Sequence, residues 1–174
     1  MTTIAWDGNI LAADSQSSVG DTVNSLKSKK LYVNNFEDWI FHGHTIIAFA
    51  SSGNAGDEFE LIHRLKVKLG IDYDTKWTDS SNFMALLVTD RGECFQLVKP
   101  ESKTNASYCI VEERATLGSG WQIAEAIMKA GHHAIEAVKI ASEMNVYSGG
   151  NIQSFDYSSS LWNRIRNEED DIPF

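Results

Sequence analysis

The chain opens on two short apolar runs, Thr2–Trp6 (TTIAW) and Asn9–Asp14 (NILAAD), separated by the polar pair Asp7-Gly8. Asp-Gly between apolar runs predicts a tight hairpin, because glycine takes positive φ without steric cost. The polar, Ser-rich stretch Ser15–Ser28 reads as a loop. Lys30–Val33 and the more apolar His44–Ala50 read as strands, the second closed by a turn at Ser51-Ser52-Gly53-Asn54. From about Ala55 to Leu69, Phe59, Ile62, Leu65 and Leu69 recur at helical spacing, and Gly70 stands where a C-terminal cap belongs. Phe83–Thr89 and Glu93–Val98 form a second predicted hairpin around Gly92, and Ala106–Val111 and Arg114–Leu117 carry strand character. Gly118-Ser119-Gly120 opens a second helix with Ile123, Ile127 and Ala130 on one face, broken at Gly131. Ala134–Met144 forms a third, with Ile135, Val138 and Ala141 inward. Val146-Tyr147-Ser148 reads as a short strand ahead of Gly149-Gly150.

Strands, a helix, more strands, two helices and a strand, in that order, predict an α+β layered domain with antiparallel sheets rather than a βαβ repeat. No internal repeat or linker divides the chain, so one domain over 1–174 is expected. It ends in an acidic tail from about 167, centred on Glu168-Glu169-Asp170-Asp171 and expected to be a solvated end.

Composition narrows the function. At 174 residues with 43 % apolar and 22 % charged residues, the chain can bury a core of ordinary size. Its net charge of −9 argues against nucleic acid or an anionic membrane as the main partner, since either would repel it at long range. Cys94 and Cys109 are too few for a disulfide framework and lack metal-ligand spacing, so they read as small apolar side chains in a reducing compartment. There is no apolar run of about 18 residues, and no basic stretch leading into an apolar one at Met-Thr-Thr-Ile. A cytoplasmic location is expected.

Candidate chemistry starts at Met1-Thr2. A small residue after the initiator methionine favours methionine removal, which would give Thr2 a free α-amine. An N-terminal threonine combines a hydroxyl nucleophile with its own base. Such a pair needs a cation to lower the amine's pKa, a carboxylate to orient that cation, and backbone N–H groups for an oxyanion. Asp14 ends the second predicted strand, and Lys30 follows 16 residues later at the start of another. Taken singly, each residue has a plainer reading: a turn aspartate, a solvated lysine, and a Gly-Ser-Gly helix cap. His42-Gly43-His44 and His132-His133 lack a third ligand at suitable spacing, and nothing in the pattern asks for a metal or a cofactor. The five tryptophans read as packing or subunit contacts.

In sequence order, TTIAWDGNILAAD, Lys29-Lys30-Leu31, IIAFASSG, ATLGSG before a helix and VYSGG resemble a proteasome β-type subunit, nearest to the bacterial HslV-like peptidase rings. The resemblance runs through roughly residues 2–150. It implies the four-layer αββα sandwich of the N-terminal-nucleophile hydrolases and a threonine-type endopeptidase activity. Residue by residue, Thr2 resembles the nucleophile, Asp14 the aspartate ending the second strand, and Lys30 the essential lysine. Lys30 is chosen over Lys29 because the family's lysine precedes an apolar residue. Ser119 matches the serine that helps hold the α-amine, and Ser148 a second supporting serine. The oxyanion N–H is expected in the turn Ser51-Ser52-Gly53, with the donor among the three left open.

The pattern departs in three places: a shortened first hairpin, a lengthened turn at Ser51-Ser52-Gly53, and Asn145 where the proteasome pattern has an aspartate. The bacterial-ring pattern instead places an acid at the position of Glu143. The resemblance further implies self-association into stacked rings, an unfoldase ATPase partner and unfolded polypeptide as substrate. Two other readings stay open. One is a catalytically inactive structural ring subunit, and the other an N-terminal-nucleophile amidase acting on a small amide. A compact pocket and a monomeric or dimeric state would mark the amidase.

Overall fold

The computed structural model describes residues 1–170. The predicted first hairpin forms from β1 (Thr3–Trp6) and β2 (Ile10–Ala13), with Ala5 opposite Ala12. Its turn is fixed by Gly8 at φ 102° and by the Asp7 carboxylate, which accepts the Asn9 and Ile10 amides at 3.0 and 2.8 Å. The second Asp7 oxygen accepts the Ala134 amide at 2.8 Å, so the same residue satisfies one of the free donors at the start of a helix.

Among the described residues, twelve strands and four helices follow one another as β1, β2, β3 (Ser17–Val19), β4 (Thr22–Ser25), β5 (Leu31–Val33), β6 (Ile40–Phe41), β7 (His44–Gly53), α1 (Asp57–Lys66), β8 (Phe83–Thr89), β9 (Cys94–Lys99), β10 (Ser107–Val111), β11 (Ala115–Gly118), α2 (Trp121–Lys129), α3 (Ala134–Met144), β12 (Gln153–Asp156) and α4 (Leu161–Asp170). One sheet runs β11-β1-β2-β12 and a second runs β10-β9-β8-β7-β5, all antiparallel. The α+β class read from the element order is what the structure shows.

Alternation along the strands assigns their faces. Ile4, Trp6, Leu11 and Ala13 point into a core shared with Leu31, Ile47, Ala48, Leu86 and Val88 of the second sheet. Ala5 and Ala12 point the other way, under Ala124 and Met128 of α2 and Ala137, Val138 and Ala141 of α3. Small residues there let the helices approach closely. On the far face of the second sheet, Leu61 and Leu65 of α1 pack with Phe49, Phe83 and Leu87.

Several expectations are corrected. Ser15–Ser28 is not all loop, since β3 and β4 pair there as a separate two-stranded ribbon. Ser51, Ser52 and Gly53 do not form a turn. They extend β7 and pair with Ala85, Met84 and Phe83. Val146-Tyr147-Ser148 is a turn tied by Asn145, whose side-chain oxygen accepts the Tyr147 amide at 2.8 Å, and the strand lies later, at β12. Helix α1 is shorter than predicted and its inner face is rotated. Leu61 and Leu65 are buried, whereas Phe59 and Leu69 are exposed. In α2 and α3, Ala130 and Ile135 face outward. Helix α4 covers residues assigned to the acidic tail, and 171–174 lie outside the described residues. Among the described residues, no helix is long and apolar enough to cross a membrane.

Candidate active site

Thr2 immediately precedes β1, an interior strand of its sheet, and is 2 % exposed. Its carbonyl is held from the β11 side, where the Ser119 amide donates to it at 2.7 Å and the Ser119 hydroxyl at 3.4 Å. Gly118 makes that approach feasible. It sits at φ 89°, and a Cβ there would lie 1.8 Å from the Thr2 carbonyl oxygen. No other residue type fits without displacing the strand.

Asp14 follows β2 and is fully buried. One carboxylate oxygen accepts the Thr3 amide at 3.0 Å and the Lys30 ammonium at 3.1 Å. The other accepts the amides of Gln16 at 3.2 Å and Gly149 at 2.8 Å. Three backbone donors and one cation thus define both oxygens. Lys30 sits just ahead of β5, with its backbone carbonyl accepting the Ser51 amide at 3.2 Å, and its ammonium is nearly buried. Besides Asp14, the Lys30 Nζ contacts the Thr2 Oγ1, the Gln16 carbonyl oxygen and, at 3.0 Å, the Met1 carbonyl oxygen. The hydroxyl of Thr2 and the carboxylate of Asp14 therefore share one lysine.

Burial pushes the Lys30 ammonium below the ordinary lysine value of 10.5, against Asp14, which pulls it up. The Met1 α-amine is held below its ordinary 8.0 by burial first and by Lys30 second, with Asp14 opposing. A base whose pKa is lower folded than unfolded binds fewer protons in the folded state. It therefore makes stability rise with pH between its folded and unfolded values. The stability of the wild type relative to Lys30→Met should accordingly climb as pH approaches 10.5 from below, by no more than about 1.4 kcal/mol per pH unit. Paired urea titrations across that interval test it, and a flat difference would show that Lys30 is not desolvated.

Ser148 and Ser119 continue the polar network. The Ser148 hydroxyl lies 2.6 Å from that of Thr3 and 3.3 Å from that of Ser119. Asn145 joins this group, since its side-chain amide donates to the Ser119 carbonyl at 2.9 Å. Glu143 does not. It is exposed on α3 and makes none of these contacts. A cavity of about 300 Å³ opens beside Thr2, lined among others by Gln16, Lys30, Ser51, Ser52 and Gly53. The three residues expected to carry an oxyanion N–H thus face the same space as the Thr2 hydroxyl, although they belong to β7.

Sequence reasoning missed two members of the network. Gln16 supplies the carbonyl acceptor for Lys30, and Gln153, at the start of β12, bonds to the segments carrying Asp14 and Lys30. Neither position carries a pattern signal, because each acts through contacts that only the fold creates. The histidines lie elsewhere. His42 packs at a tilt against Tyr108, and His132 pairs with Glu136 at 2.8 Å. Among the described residues, no group of three or more His, Cys, Asp or Glu side chains converges as a metal site would require.

No known family profile and no curated protein matches this chain. Solved structures do. Thiobacillus denitrificans BPH in complex with epoxomicin superposes with a TM-score of 0.58 at 19 % identity, covering 88 % of this chain and 96 % of that one. Thiobacillus denitrificans BPH alone gives 0.55 at 20 %, covering 91 % and 99 %. At such identities the likeness is one of fold, and it extends over nearly the whole of both chains.

Proposed function

We propose that this chain is a threonine-type endopeptidase subunit of a self-compartmentalising ring protease, built on the αββα sandwich of the N-terminal-nucleophile hydrolases. One observation carries the reading. A buried lysine ammonium is shared between the Thr2 hydroxyl and the Asp14 carboxylate, beside a cavity open to a substrate. The fold likeness to a protein solved with epoxomicin, a proteasome inhibitor, supports it.

Removal of Met1 frees the Thr2 α-amine, whose neutral, basic form burial and then the Lys30 charge would favour, as they do for the Met1 amine. Thr2 Oγ1 then attacks the carbonyl carbon of a peptide bond while the amine takes the hydroxyl proton. With the Ser51 amide committed to the Lys30 carbonyl, a backbone N–H from Ser52 or Gly53 is proposed to meet the developing oxyanion. The C–N bond breaks as the leaving nitrogen receives the proton. Water then hydrolyses the ester, releasing the acyl product as an acid and restoring the hydroxyl. Stacked rings fed by an unfoldase ATPase in the cytoplasm would confine this chemistry to unfolded polypeptides.

The deciding experiment is the intact mass of the purified protein before and after incubation with epoxomicin. The expected result is a chain lacking one methionine that gains the mass of one inhibitor. A chain that keeps Met1 and stays unmodified has no free base at residue 2, and the inactive structural reading takes first place. A processed chain that hydrolyses only small amides, and elutes as a monomer or dimer, supports the amidase reading.

A further inference from the structure

Asp14 and Lys30 belong to segments that share no backbone ladder. Asp14 follows β2 in the first sheet, and Lys30 precedes β5 in the second. A single backbone bond, from the Ser28 amide to the Ser15 carbonyl at 2.9 Å, joins the two segments, and the 3.1 Å ion pair needs the gap between them held on the Lys30 side as well. Gln153 stands opposite Ala13 in the β2–β12 register, one residue before Asp14. Its side-chain oxygen accepts the backbone amides of Lys30 at 3.1 Å and Leu31 at 3.2 Å. Its side-chain nitrogen donates to the Ser28 carbonyl and the Ser15 hydroxyl, each at 2.8 Å, and to the Asp14 carbonyl at 3.3 Å. The amide is saturated: both oxygen lone pairs and both N–H groups are used. The partners also fix which end is which, because two backbone N–H groups face the oxygen and two backbone carbonyls face the nitrogen.

We propose that Gln153 is a positioning residue that clamps the Asp14 and Lys30 segments across the sheet boundary and so sets the geometry of the Thr2–Lys30–Asp14 set. The proposal rests on the peptidase reading of that set. Only glutamine meets the requirement. Glutamate has the length but no donor, and places an oxygen against two carbonyls. Asparagine has the donor but is one methylene too short to reach both segments. Alanine removes the clamp and adds no charge.

The test compares Gln153→Glu, Gln153→Asn and Gln153→Ala with wild type in the full, processed chain. In Gln153→Glu, kcat on a peptide substrate should fall by about 100-fold while KM stays within about threefold, the signature of a displaced reacting group rather than lost binding. Gln153→Asn should fall between that variant and wild type. An independent readout is the titration of the Lys30 side chain by NMR. Gln153→Ala should move it up towards the ordinary lysine range, because Lys30 gains water without gaining a charged neighbour. Lys30 is faced by Asp14 and the chain's own α-amine, and neither changes in these variants.

Wild-type kcat in Gln153→Glu together with an unmoved Lys30 titration in Gln153→Ala overturns the proposal. So does a loss that tracks only a lower Tm and vanishes where the variant is fully folded. Were wild type to hydrolyse nothing, the peptidase reading would fail by itself. The Lys30 titration would still decide whether Gln153 sets that geometry.

Discussion

Thr2→Ala should abolish hydrolysis of unfolded protein, a fall of at least about 10⁴-fold to the background of the assay. The structure predicts that this loss comes without unfolding. Lys30 loses one acceptor but keeps the Asp14 carboxylate and the Gln16 carbonyl. The Thr2 backbone stays pinned by its carbonyl bonds to Ser119. Stability should therefore drop by only about 1 kcal/mol, the net worth of one hydrogen bond. Thr2→Ser, which keeps the hydroxyl, should remain within about tenfold of wild type. Measuring casein degradation and urea unfolding on the same preparations separates chemistry from folding. A Thr2→Ala protein that still degrades casein would disprove the mechanism.

The second large effect concerns the buried ion pair, and it is asymmetric. Removing Asp14 leaves the Lys30 ammonium without a counter-charge and strips acceptors from the amides of Thr3, Gln16 and Gly149. Asp14→Ala should cost about 3–5 kcal/mol, the usual penalty for a buried charge left unpaired. Lys30→Met is milder, because the Asp14 carboxylate keeps its three backbone donors, and about 1–3 kcal/mol is expected. Both variants should be inactive at neutral pH for different reasons. On the proposed mechanism, Lys30→Met takes away a charge that would lower the pKa of the freed Thr2 amine, so any residual activity should have its acidic limb moved to higher pH. Equal destabilisation by the two substitutions would show that the backbone donors to Asp14 contribute little. Adding the double variant isolates the pairwise term.

Legibility in the sequence followed the strength of the local signal. The β1–β2 hairpin was readable because Asp7-Gly8 permits one tight turn and continuous apolar runs flank it on both sides. The β3–β4 ribbon was not, since its strands carry serine, threonine and asparagine with no buried side, and pattern reading needs a buried side. In β12 only Phe155 is buried, so its pairing with β2 left no trace of alternation. The β-prone run Val146-Tyr147-Ser148 misled in the opposite direction, because Asn145 bends it into a turn.

For the candidate site, the ordered resemblance pointed to Thr2, Asp14, Lys30, Ser119 and Ser148, and the fold brings these five into one hydrogen-bonded network. It also pointed to Glu143, which lies apart, and it did not reach Gln16 or Gln153. Their roles depend on which segments meet in space.

The position of β1 has a consequence for the order in which the molecule is made. Its partner β2 is only a turn away, but its other neighbour, β11, begins more than 100 residues later, at Ala115. A ribosome-bound chain could close the first hairpin early and would still lack the strand that holds the Thr2 carbonyl in place. Closing so long a loop comes late and is slow. On the peptidase reading, the reactive end would be assembled only when most of the polypeptide has emerged, so a half-made subunit would not yet cut its unfinished neighbours.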